Sequence, residues 1–210
     1  MGYERTMLKR LFVSLFCFIL DMFKAYNTSM SEVPSPINPE KAEILDDNAR
    51  KFIVASPLTT EFLKANGAIS YLLICDWINT GTNDEEKLVY KKFENNETQI
   101  LLISKATLDG NRTSKKENIT SERYMQLLEQ SKINVKKIRN EFEYVQDDAT
   151  YSIKYDEFEG DELRVLEVDA PTDDVRALFK PDNLPFALSE ITGDISYYGY
   201  RVASHVKNHR

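Results

Sequence analysis

Histidine is almost missing: the 210-residue chain has two, His205 and His209, both within its last six residues. Ser-His-Asp, Cys-His and His-x-x-x-His zinc chemistry would each have to be built from a terminal tail, where order is poorest. Cysteine is as scarce. Cys17 and Cys75 are the only two, too few for a Cys-rich zinc site or a disulfide framework, so the bulk of the chain reads as reduced and intracellular. The seven glycines allow neither G-x-x-x-x-G-K nor G-x-G-x-x-G, which removes the commonest phosphate-cradling loops and leaves any phosphate site to side chains. Basic surplus is absent too. Thirty-four acids against 27 bases give a net charge of −7, which disfavours general nucleic-acid binding. What remains, 42% hydrophobic and 29% charged, is the composition of one folded domain with a short appended segment.

The apolar run from Leu11 to Leu20 follows Lys9 and Arg10, but it is half the roughly twenty residues a spanning helix needs. A secretory signal fits its charged start and short core, yet Asp21 sits directly behind that core and no small-x-small cleavage site follows. Leu8, Leu11, Phe12, Leu15, Phe16, Ile19 and Phe23 keep helical spacing, so an amphipathic helix that contacts a membrane through residues 8–23, or rests on the domain, is the rival reading. We therefore expect an N-terminal extension over 1–29 that function does not need. A proline-bearing linker over 30–45, a main domain over 46–204 and a tail over 205–210 follow. The expected compartment is the cytoplasm, with membrane association or secretion through the N-terminal segment as the alternative.

From Arg50 the chain reads as eight short strands, at 50–55, 69–78, 87–94, 98–108, 112–120, 135–144, 150–158 and 163–169. Turn chemistry separates them, as at Asn95-Asn96, Asp109-Gly110-Asn111, Asp147-Asp148 and Glu159-Gly160-Asp161. Such a series predicts an antiparallel, mainly β sheet or barrel rather than βαβ units. Helices are expected at 121–131 behind a Ser121 cap, at 172–179, and near 195–203.

Alternate residues of a strand face opposite ways. On that count Lys137, Arg139, Glu141 and Glu143 share one face, Glu167 and Asp169 share another, Lys115 lies with Glu117, and Lys105 lies with Leu101 and Ile103. Two readings stay open. The charges form an ordinary wet outer surface, with cross-strand pairs worth a few tenths of a kcal/mol, or they line a lumen that holds a polyanion, with carboxylates for a divalent metal and cations for phosphate oxygens.

The order of these motifs resembles the CYTH or triphosphate tunnel metalloenzyme superfamily, over roughly residues 47–197. The family opens with E-x-E-x-K; here Asp47-Asn48-Ala49-Arg50-Lys51 stands in its place, with Ala49 where a metal-binding Glu is expected. Its R-x-R strand aligns with Val89 and Lys91, its next lysine with Lys105, its R-x-E with Lys115 and Glu117, and its K-x-R with Lys137 and Arg139. Lys154 aligns with a family aspartate, Glu167-Val168-Asp169 with the late E-x-E, and Glu190-Ile191-Thr192 with Tyr197 closes the series.

The resemblance implies a closed antiparallel barrel of eight strands around a polar tunnel, with a few flanking helices. Lys51, Lys91, Lys105, Lys115, Lys137 and Arg139 would bind a triphosphate. Asp47, Glu117, Glu167 and Asp169 would hold Mg²⁺ or Mn²⁺, and Lys51, Glu117, Glu167 and Asp169 would carry hydrolysis of tripolyphosphate or of a nucleoside or thiamine triphosphate. The partner is then a small-molecule triphosphate and not nucleic acid. The losses at Ala49 and Val89 favour the alternative of a non-catalytic polyphosphate or nucleotide binder on the same fold. A lipocalin-like carrier of apolar ligands is a second alternative, for which Leu, Phe and Tyr would line the lumen. Trp77 and Cys75 read as core.

Overall fold

The computed structural model describes residues 43–46, 49–81, 84–108 and 111–207. The chain divides into two units, Met1–Asn38 and Pro39–Arg210; all described residues belong to the second, and the expectations for 1–29 and for Asp47 fall on residues outside the described ones.

Ten antiparallel strands form one sheet. In chain order they are β1 (Glu43–Asp46), β2 (Arg50–Val54), β3 (Ile69–Thr80), β4 (Asp84–Phe93), β5 (Thr98–Leu108), β6 (Asn111–Asn118), β7 (Ile133–Gln146), β8 (Ala149–Phe158), β9 (Arg164–Asp169) and β10 (Leu188–Glu190). Their order across the sheet is β1-β6-β5-β4-β3-β7-β8-β9-β2-β10. Tight turns set the hairpins. Asp147 and Asp148, at φ 49° and 64°, give the pair of left-handed residues that a two-residue turn between right-twisted strands requires.

The resemblance implied eight strands closed into a ring, and the sheet departs from that in two ways. Short strands β1 and β10 are added at its edges, and these edges are not hydrogen-bonded to each other among the described residues. The sheet nevertheless curls strongly. Asp46 ends β1 on one edge and Arg50 begins β2 near the other, yet four peptide steps reach at most about 14 Å, so the two margins must lie close together.

Register assigns every side chain to the inner or outer face of the curl. Tyr71, Leu73, Cys75 and Trp77 of β3 stand beside Phe93, Lys91, Val89 and Lys87 of β4, and on the other side Tyr71, Leu73 and Cys75 stand beside Arg139, Lys137 and Val135 of β7. One half of this inner face is apolar. Leu73, Cys75, Trp77, Val89, Leu101 and Val135 form a core with Val202 and Ala203, which sit on helix α4 (Gly199–Lys207). Gly199 is required there, because a Cβ at that position would lie 2.8 Å from Cζ2 of Trp77. Burying each such side chain contributes about 1.5–3 kcal/mol, so this end of the curl is packed shut.

The outer face of β2, β7, β8 and β9 carries a second core of Phe52, Val54, Phe142, Tyr151, Ile153, Tyr155, Leu166 and Val168. Phe62 and Leu63 of α1 (Thr60–Ala65) and Phe179, just after α3 (Asp173–Ala177), pack against it. Helix α1 has no counterpart in the sequence expectations; its sign is Thr59, whose hydroxyl accepts from Phe62 N. The helix expected at 121–131 is α2 (Ser121–Leu128), capped by Thr120 rather than Ser121. No helix among the described residues is long and apolar enough to cross a membrane.

Candidate functional site

The other half of the inner face is charged. Arg139 and Lys137, two residues apart on β7, both reach Asp156 of β8. Arg139 donates from Nε to Oδ1 and from Nη2 to Oδ2, each at 2.6 Å, the bidentate fork that matches a carboxylate. Asp156 is 1% exposed. Burial pushes its carboxyl up, but Arg139 and Lys137 outweigh that and hold it below the usual carboxylate range. For Lys137 burial dominates, and the ammonium is pushed down despite Asp156.

One strand further, Glu167 of β9 stands opposite Lys51 of β2 and Lys154 of β8. Lys51 Nζ lies 3.4 Å from its Oε1 and Arg139 Nη2 lies 3.6 Å from its Oε2. Burial opposes ionisation of Glu167 as well, yet Lys51, Arg139, Lys137 and Lys154 together depress its carboxyl far below normal. On the β4 side, Tyr71 donates its hydroxyl to Glu141 at 2.6 Å, and Lys91 Nζ rests 5.0 Å from the Tyr71 ring centroid. Burial pushes Lys91 down. Glu141 opposes that, while Arg139, Lys116 and Lys154 push in the same direction.

Arg139 of β7, Lys116 of β6 and Lys154 of β8 therefore all act on Lys91 of β4. Four strands lie between β6 and β8 in sheet order. Even so, Ser114 and Lys116 line a single cavity of about 750 Å³ with Thr150, Ser152, Lys154 and Asp169. Arg176, from α3, reaches Asp169 at 3.3 Å on the wall of this cavity.

Of the residues the sequence singled out, Lys51, Lys91, Lys137, Arg139 and Glu167 meet in this cluster and Asp169 lines the adjoining cavity. Lys105 shares their face but stands opposite Glu85 and Ser114 and does not line the cavity. Lys115 and Glu117 require a correction. Register pairs Lys116 with inward Ile103 and places Lys115 and Glu117 opposite Ser104 and Leu102, so both point outward, 54% and 48% exposed, and pair with each other at 3.8 Å. Position 116 is the inward one. The buried inward carboxylate ahead of Gly160 is Asp156, two residues beyond Lys154 on the same face of β8. Val89 lies in the apolar half, 3% exposed. Glu190 of β10, opposite Phe52 of β2, clamps Arg50 through two contacts of 2.9 and 2.8 Å and ties β10 to β2.

Asp156, Lys116 and Arg176 are the participants that sequence reasoning missed. Ser152, Lys154 and Asp156 alternate with Ile153 and Tyr155, a readable signal. Position 116 had none, because its strand lacks apolar markers.

Magnesium and manganese need several oxygen ligands each. Among the described residues no three Asp, Glu, His or Cys side chains converge. Asp156 is held by Lys137 and Arg139, Glu167 by Lys51 and Arg139, and Asp169 by Arg176, while Glu143, Asp173 and Asp174 also line the cavity. The described residues therefore hold no ready-made site for a divalent ion, and Asp47, the remaining acid expected to hold one, lies outside them.

No family model matches the sequence, and no curated protein matches it significantly. Among solved structures it is similar to the crystal structure of the inorganic triphosphatase NE1496, with a TM-score of 0.49 and 21% identity over 78% of this chain and 95% of that one. A second crystal structure of NE1496 gives 0.48 and 21% over 74% and 95%. The PH1819 protein from Pyrococcus horikoshii OT3 gives 0.42 and 16% over 61% and 82%. In motif order the chain resembles the triphosphate tunnel superfamily, and in structure it is similar to an inorganic triphosphatase.

Proposed function

We propose that the charged half of the curled sheet binds a small molecule carrying a linear triphosphate, with the curl acting as the tunnel of that superfamily. The observation that supports this most directly is the convergence of Lys91, Lys116, Arg139 and Lys154 from four strands. Like charges at such range repel, at a cost that a polyanion lying among them removes. Lys51, Lys91 and Arg139 would grip phosphate oxygens. Asp156 and Glu167 orient Arg139 and Lys51 from behind, fixing the direction in which the donors point. The apolar half, sealed by α4, forms the floor and argues against the carrier of apolar ligands, whose lumen would be greasy and open.

Calorimetric titration with orthophosphate, pyrophosphate and tripolyphosphate tests the proposal. Affinity should rise steeply with phosphate count and fall with added salt, as expected for several simultaneous charge contacts. Equal, weak affinity for all three would reject it.

Hydrolysis with Mg²⁺ or Mn²⁺ is the second reading. It is favoured by Asp169, a carboxylate on the cavity wall two residues from Glu167. Phosphate release from tripolyphosphate or ATP that depends on either metal would establish turnover; release with neither would leave the chain a binder.

A further inference from the structure

Resting on the triphosphate reading above, we infer that the ligand is held as the metal-free polyanion, with the Lys154 ammonium in the place of a bridging divalent cation. The first ground is the commitment of the acids. Glu167, Asp156 and Asp169 each face a cation of the chain itself, so a divalent ion would have to displace Lys51, Lys137, Arg139 or Arg176 to gain any of these three. Such an exchange strands a poorly solvated cation, which is costly. With Glu143, Asp173 and Asp174 also on the cavity wall, no three described acids converge.

The second ground is the position of Lys154. It sits between Glu141 and Glu167 in register, on the middle strand of three. It feels Glu167 and Lys91, yet among the described residues no carboxylate oxygen lies close enough to form an ion pair with it. Lys154 and Lys116 both line the cavity. A cation flanked by acids without being captured by one, and facing open volume, can accept phosphate oxygens directly. The third ground is that Lys154 joins the inner cluster to the cavity, as a bridging ion would have to.

Calorimetry on the full chain with inorganic tripolyphosphate, run once in EDTA and once in excess Mg²⁺, decides the matter. Binding in EDTA should be at least as tight as in Mg²⁺. In EDTA, Lys154→Ala should weaken it by about tenfold or more, the usual worth of a charge-assisted contact. Lys154→Arg should restore most of the affinity, and Lys136→Ala, an outward cation paired with Glu159, should leave it unchanged. Binding that appears only with Mg²⁺ overturns the inference while leaving the triphosphate reading intact. So does unchanged affinity in a folded Lys154→Ala protein. No binding under either condition overturns the triphosphate reading and this inference with it.

Discussion

Arg139 and Asp156 face each other across β7 and β8 as register partners and are joined by two hydrogen bonds of 2.6 Å. Lys137 adds a second cation to the same carboxylate. One buried acid thus orients two of the donors that face the proposed ligand.

Removing that acid should be severe. Asp156→Asn keeps the shape but leaves Arg139 and Lys137 without their counter-charge. Breaking one side of a buried pair costs about 3–5 kcal/mol. Urea unfolding should show that loss as a lowered midpoint at unchanged slope.

Acid should act through the same groups. Asp156 and Glu167 both titrate below their ordinary range in the folded protein. Their contribution to stability is therefore complete above the unfolded carboxylate values, about pH 4, and is lost as pH falls from there through the depressed folded values. Denaturant midpoints measured from pH 7 to pH 3 should drop most steeply below about pH 4, and Glu167→Gln should flatten that limb.

The two sides of β6 should behave differently toward ligand. Lys116→Ala should weaken tripolyphosphate binding by about tenfold, as one charge-assisted contact is lost. Lys115→Ala and Glu117→Ala remove exposed outward groups and should change stability by no more than about 0.5 kcal/mol, with affinity unaltered. The reverse pattern in a binding assay would restore the frame first expected from sequence.

Packing at the floor of the curl gives a further check. In Gly199→Ala the new methyl meets the Trp77 ring at 2.8 Å. Overpacking of this kind costs about 1–3 kcal/mol. Thermal unfolding should report the loss, and because the charged half is distant in register from Trp77, affinity for polyphosphate should stay near that of the parent protein.

Much of this architecture was legible from local pattern. Strands β3 to β9 other than β6 announce themselves by apolar pattern between turns, and β7 carries charges at alternate positions from 137 to 143, so Lys137, Arg139 and Glu141 could be placed on one face before any fold was known. Where apolar residues mark one side, the chain by itself fixes the other, because side chains on a strand have a period of two. On β6 the run Thr113 to Asn118 is polar throughout. Its two frames are locally equivalent, and only the pairing of Lys116 with Ile103 chose between them. The edges were hidden for a related reason, since β1 and β10 are too short to show any period. Nor could sequence reveal that Lys116 and Lys154 line one cavity. That depends on how far the sheet curls, which is set by long-range strand pairing and by the helices packed on it, and no local stretch of chain encodes a distance between strands that never touch.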